Sequence, residues 1–136
     1  MWTIKPTVNA PASTGSERQA RHQIRNELAD LIASGRVFQN SVVNAGSGIQ
    51  REQAMALVSS VSDWHTRVLR FTEKQISHAD AMRLIIPATT GHYPRGIEKT
   101  ILFDGGKSGV ALMPSWDLLS SDLAALESFL AARPEL

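Results

Sequence analysis

Apolar residues recur through the first third of the chain at the spacing of an α-helix. Spacings of four and three residues alternate, which keeps the members on one helix face. This first stripe comprises Ile24, Leu28, Leu31, Gly35, Phe38 and Val42. Ser16 and Gln19 form a capping-box pattern ahead of it, so we predict that a helix starts at Glu17. Gly35 leaves two alternatives, because a glycine here either ends the helix near Ser34 or lets another helix approach closely.

A second stripe with the same spacing predicts another long helix, at about 49–76. Its members are Leu57, Val61, Trp64, Val68 and Phe71. Ser47 and Gln50 form a capping-box pattern at its start, after a turn rich in glycine and asparagine. Two long helices with a short connection are expected to pack antiparallel and cover each other's apolar stripes.

The rest of the chain predicts shorter elements and one last helix. A short helix opens with Ser77 as its cap and ends at Pro87, and a leucine repeat predicts a helix at about 115–132. Between them, residues 97–113 fit either a helical turn or a short β-hairpin at about 99–113. The helical turn is favoured, because an isolated hairpin is marginal in water. The expected fold class is mainly α: a small helical bundle of three main helices and one or two short ones.

Composition restricts the classes of protein to which the chain belongs. The 136 residues carry a net charge of +1 and no cysteine, which excludes disulfide frameworks, zinc ribbons and thiolate nucleophiles. The prolines and small polar residues of 1–15 predict an extended N-terminal arm, and 16–136 a single helical domain. No apolar run approaches the roughly 20 residues that span a bilayer, and no secretion signal opens the chain, so we expect a cytoplasmic protein.

The sequence contains few constellations that carry chemistry. Gly106-Lys107-Ser108 matches the end of a phosphate-binding loop, but Ile101 stands where that motif needs glycine, so an exposed turn is expected. The histidines lack the i, i+4 spacing of a metal pair, and we predict neither a metal nor another cofactor. An enzyme with a site in the loop of His92, Tyr93 and Arg95, completed by His65 or His78, is the least favoured alternative.

A nucleic-acid-binding protein is the second alternative. Arg18, Arg21 and Arg25 are spaced by three and four residues, so they share one face of the first helix. Such a face can lie along a phosphate backbone. An ordinary solvated helix surface is the competing interpretation, because acidic residues are interleaved with the basic ones along this part of the chain.

The first residues of the chain instead favour recognition of a protein. Trp2 and Ile4 are large apolar residues in the predicted arm, where Trp2 could anchor a partner or a second copy. Segments 26–35, 64–71 and 123–130 resemble helical segments of uncharacterised bacterial and prophage proteins, some of which accompany effector domains in antiphage systems. The resemblance implies an accessory module. We therefore expect a non-enzymatic protein that either self-associates or binds a larger protein.

Overall fold

The chain is mainly helical in the computed structural model, which describes residues 15–46, 48–85, 102 and 105–134. Four α-helices account for most of these residues, and no strand occurs among them. The helices are α1 (Gly15–Asn44), α2 (Arg51–Gln75), α3 (His78–Ile85) and α4 (Met113–Ala131). The predicted helices are confirmed, with boundaries that differ by a few residues where the structure describes them, and the predicted end of the short helix at Pro87 lies outside the described residues. The predicted arm lies almost entirely outside the described residues.

All four helices contribute to one buried apolar cluster. The two long stripes predicted from the sequence supply its centre, together with leucines of α4 and Leu84 of α3. Its fully buried members include Leu28, Leu31, Val42, Val61, Trp64, Val68, Leu119, Leu123 and Leu126. The helical periodicity of the sequence therefore identifies the core correctly.

Gly35 lies where three helices meet, which decides between the two alternatives for this residue. The first helix continues through Gly35 to Asn44. A Cβ atom added at Gly35 would lie 2.6 Å from Cζ2 of Trp64 and 2.7 Å from Cδ2 of Leu123. The indole N–H of Trp64 donates a 2.8 Å hydrogen bond to the carbonyl oxygen of Leu31, which holds the ring against α1. The glycine therefore permits close approach and does not end the helix.

The residues at the N-termini of the helices can be compared with the caps predicted from the sequence. At α2 the residue preceding the helix is Gln50, and its backbone N–H donates to Oε1 of Gln53 at 3.3 Å. The capping box of α2 therefore joins Gln50 and Gln53, whereas the predicted cap Ser47 lies outside the described residues. At α3 the prediction holds, because Oγ of Ser77 accepts from the backbone N–H of Asp80 at 3.0 Å. At α4, Pro114 lies inside the first turn, where its missing N–H costs no hydrogen bond.

The described part of 99–113 corrects the β-hairpin alternative. Gly106–Ser108 form a 3-10 turn, and Gly105 and Gly109 on either side have φ values of 76° and 69°, which favour glycine. The turn is also less exposed than predicted, because Ser108 is buried and its hydroxyl donates to the carbonyl oxygen of Gly105. This hydroxyl is used within the turn, whereas a phosphate-binding loop would present it to a ligand.

Two contacts of α2, one with the 3-10 turn and one with α4, show the direction in which α4 runs relative to α2. Arg51, at the start of α2, donates from Nη1 to the carbonyl oxygen of Ser108, and His65 further along α2 contacts Asp122 in the middle of α4. The two helices therefore run in the same direction. An ion pair between Arg36 and Glu127 joins α4 to α1.

Candidate functional site

An apolar groove lies between the end of α2 and the short helix α3. Leu69, Ala81, Met82 and Ile85 provide most of its lining, and the charged side chains Arg70 and Glu73 complete it. We call these six residues the α2–α3 groove. It is open to solvent with a volume of about 290 Å³, and Met82 and Ile85 are 45% and 50% exposed. Exposed apolar side chains that lie next to one another indicate an interaction site more strongly than a single exposed apolar residue does.

The sequence around α3 explains why the groove stays open. The backbone N–H groups of Ile76 and Ser77 both donate to the carbonyl oxygen of Thr72, which ends α2 and turns the chain back. Ala81 and Leu84 are spaced by three residues and face the core. Met82 and Ile85 each follow one of them, about 100° further round the helix, so they face outward. Two neighbouring faces of α3 are therefore apolar. Only the face with Ala81 and Leu84 is buried, and the face with Met82 and Ile85 is exposed.

Basic side chains lie along α2 next to the groove. Arg67, Arg70 and Lys74, which we call the basic row, are exposed and spaced by three and four residues, so they share one helix face. None of the three forms a side-chain ion pair within the described residues. With Phe71, Gln75 and Glu27 of α1, they line a depression of about 200 Å³.

A larger depression lies at the connection between α1 and α2. It encloses about 680 Å³, and its lining is uncharged: Val37, Asn40, Ser41, Asn44, Ala45, Gly46, Ile49, Gln53 and Leu57. Residues late in α1 thus lie beside residues early in α2, which agrees with the predicted antiparallel pair. Its polar groups are amides and hydroxyls spread over an open surface, so it offers no charged group to orient a ligand.

A histidine and an aspartate that the sequence reasoning did not bring together form a contact between α2 and α4. Nδ1 of His65 lies 2.5 Å from Oδ2 of Asp122, whose side chain is fully buried. Burial raises the pKa of Asp122, while the hydrogen bond and the charge of His65 act in the opposite direction. His65 lines none of the depressions described above. We therefore interpret the pair as a contact that fixes α4 on α2.

The predicted arginine face exists on one helix. Arg18 and Arg25 are exposed and Arg21 is half-buried, all in the first half of α1. We call these three residues the α1 arginines. Glu27, two residues after Arg25 on α1, lines the depression beside the basic row. The described residues therefore include two groups of three basic side chains with the same spacing, one on α1 and one on α2, and the sequence predicted the group on α1.

The other predicted site residues lie outside the part of the chain that the structure describes. These are Trp2 and Ile4, and the loop residues His92, Tyr93 and Arg95. Within the described ranges, no group of three metal-ligating side chains could hold an ion, and His65 and His78 each contact a different carboxylate. None of the helices in the described ranges is long and apolar enough to cross a membrane.

Comparison with known proteins gives no match to a family model, to a curated protein or to a solved structure. The function must therefore be argued from the surface of this chain itself.

Proposed function

We propose that this chain is a non-enzymatic protein-interaction module, a small helical bundle that binds another protein or a second copy through the α2–α3 groove. The observation that carries the proposal is the exposure of Met82 and Ile85 side by side with Leu69 and Ala81. Burying apolar surface is worth about 25 cal/mol per Å², so covering two half-exposed large side chains favours association.

The N-terminal residues fit the same proposal. Trp2 and Ile4 add apolar side chains that can anchor a partner, since tryptophan is common among the residues that dominate binding energy. We further propose a bacterial or phage accessory protein, as the resemblance of its helical segments implies, and we expect it to act in the cytoplasm because its sequence has no long apolar run.

A pair of methionines allows a matched test of the groove. Met82 lies in the α2–α3 groove and is 45% exposed, whereas Met55 is 51% exposed on α2 outside this groove. Light scattering on the purified protein, alone and with a partner captured from its source and then purified, gives the mass of the assembly. We expect Met82→Asp to dissociate it and Met55→Asp to leave it intact, both with unchanged helical circular dichroism. Equal behaviour of the two variants would contradict the proposed site.

The N-terminal anchor has its own test. Trp2→Ala should weaken association and leave the melting temperature nearly unchanged, because the sequence predicts that Trp2 lies in an extended arm. Light scattering over a dilution series measures the first effect and a thermal melt the second. Intact assembly of this variant would remove Trp2 from the interface.

A second candidate function is nucleic-acid binding through the α1 arginines, favoured by their common helix and by the exposure of Arg18 and Arg25. Its signature is salt dependence, because each neutralised phosphate releases counterions. Affinity for DNA or RNA should fall steeply from low to physiological salt, and reversing the three charges should abolish it. Salt-independent binding would exclude this surface.

A further inference from the structure

The α2–α3 groove and the basic row are parts of one surface. Arg70 belongs to both, since it lines the groove with Met82 and Ile85 and the neighbouring depression with Arg67 and Lys74. Apolar and positively charged surface therefore meet along one side of α2. A ligand that covers the groove lies within reach of the basic row.

The acidic residues on this surface leave the row positive. Glu73 borders the groove, and its carboxylate accepts a hydrogen bond from Nδ1 of His78 at 2.7 Å. Glu27 borders the depression but lies within salt-bridge distance of none of the three cations. The three positive charges of the basic row thus stand against the two negative charges of Glu27 and Glu73 on this surface.

We propose that the occupant of this surface is an amphipathic helix of a partner protein that carries acidic residues beside its apolar stripe. This inference rests on the proposed function and names the chemistry of the partner. The apolar stripe covers Met82 and Ile85, as in helix-in-groove recognition, where side chains at i, i+3, i+4 and i+7 act as anchors. The acidic residues face the basic row.

The spacing of the basic row sets the spacing of the acids. Arg67 and Lys74 are seven residues apart, which is about 10 Å along the helix axis at 1.5 Å per residue. Acidic residues on a partner helix at spacings of three and four therefore match the row. The groove, at about 290 Å³, takes one or two apolar side chains and is at the lower limit of small-molecule pockets, roughly 300–1,000 Å³.

A protein segment fits this surface better than a nucleic acid does. Single-stranded nucleic acids stack their bases on exposed aromatic side chains. Phe71 is the aromatic residue lining the depression, and it is buried in the core. A phosphate backbone would use the basic row but would leave Met82 and Ile85 exposed to water.

Fluorescence anisotropy with defined probes tests the inference. The first probe is a labelled amphipathic peptide of about 15 residues, the length at which isolated helices become marginally stable, with leucines on one face and glutamates beside them. The second peptide has lysine in place of every glutamate, and the third probe is a labelled oligouridine.

The α1 arginines provide a matched control for the basic row. Both groups carry three positive charges at spacings of three and four residues, and they differ only in that the basic row has a lysine in place of one arginine. The proteins are the wild type and four variants: Met82→Asp; Met55→Asp; Arg67→Glu, Arg70→Glu and Lys74→Glu combined; and Arg18→Glu, Arg21→Glu and Arg25→Glu combined.

The inference predicts that the acidic peptide binds and that the lysine peptide does not. Binding should be lost in Met82→Asp and retained in Met55→Asp. Reversing the basic row should weaken it about tenfold or more, the combined effect of three exposed ion pairs, whereas reversing the α1 arginines should change it far less. Circular dichroism confirms that each variant remains helical.

Three results would overturn the inference: equal binding of the two peptides, no binding of either peptide, or binding of oligouridine alone through the basic row. If the acidic peptide fails while the assembly measured by light scattering still depends on Met82, the proposed function stands and the acidic partner is wrong. If the assembly does not depend on Met82, the proposed function itself fails.

Discussion

Replacing Gly35 by alanine tests the central packing contact directly. The new Cβ would lie 2.6 Å from Cζ2 of Trp64 and 2.7 Å from Cδ2 of Leu123. Carbon atoms in contact prefer about 3.5–4.0 Å, so each approach is too short by about 1 Å. Cγ of Leu123 would also lie 3.1 Å from the new Cβ, and the Trp64 ring is held by its hydrogen bond to Leu31 and is fully enclosed.

Two opposing effects determine the magnitude. Alanine is favoured over glycine inside a helix by about 1 kcal/mol. Overpacking of a core costs about 1–3 kcal/mol, and a rigid ring on one side places Gly35→Ala at the upper end. We therefore expect a net loss of about 2 kcal/mol in the free energy of unfolding. For a chain of this size that loss lowers the melting temperature by about 8 °C.

Urea unfolding followed by circular dichroism measures this loss, and Gly15 provides the control. A Cβ added at Gly15 meets no atom within 4 Å, so Gly15→Ala should change stability by less than about 0.5 kcal/mol. Combining Gly35→Ala with Leu123→Ala should cost less than the sum of the two, because the smaller side chain removes one of the clashes. A Gly35→Ala variant as stable as the wild type would refute the close approach of the three helices.

Three further substitutions probe other contacts. Trp64→Ala removes a fully buried ring and should cost about 3–5 kcal/mol in a urea titration, and a smaller loss would place Trp64 outside the core. Ser77→Ala removes the cap of α3 and should cost about 1 kcal/mol, while Ser59→Ala on the exposed face of α2 should cost little. Because burial raises the pKa of Asp122 above its ordinary 3.8, the stability this carboxyl contributes is present at low pH and is lost as pH rises through the raised pKa. The free energy of unfolding of the wild type relative to Asp122→Asn should therefore fall over that window, and a constant difference would contradict the pKa shift.

The elements that depend on local pattern could be predicted from the sequence. Alternating spacings of four and three residues identify the buried faces of α1 and α2, because a helix of 3.6 residues per turn leaves only those positions on one side. The Ser77 cap is also local, since its hydroxyl reaches a backbone N–H three residues away. The sequence left two alternatives for Gly35, a helix end or the close approach of another helix. The choice between them depends on Trp64 and Leu123, which local spacing cannot place beside Gly35.

The features that depend on contacts between distant segments could not be predicted. His65 and Asp122 are 57 residues apart, and no spacing rule connects them. The basic row shows the same spacing as the α1 arginines and could have been found by scanning α2 for it. Its position beside an apolar groove follows only from the direction in which α3 folds back. At the start of α2 the capping residue is Gln50. Serine is usually preferred at this position, so the sequence pattern favoured Ser47 as the cap.

α4 follows the other three described helices in the chain, and this order has a consequence for biosynthesis. Leu123 fills the space at Gly35 beside Trp64, so this part of the core is open until the last helix is made. At about 5–20 residues per second, a ribosome needs roughly 2–9 s to proceed from the end of α3 to the end of α4. During that interval the nascent chain exposes the apolar faces of α1 and α2, and chaperones that hold unfinished chains would find their binding surface there.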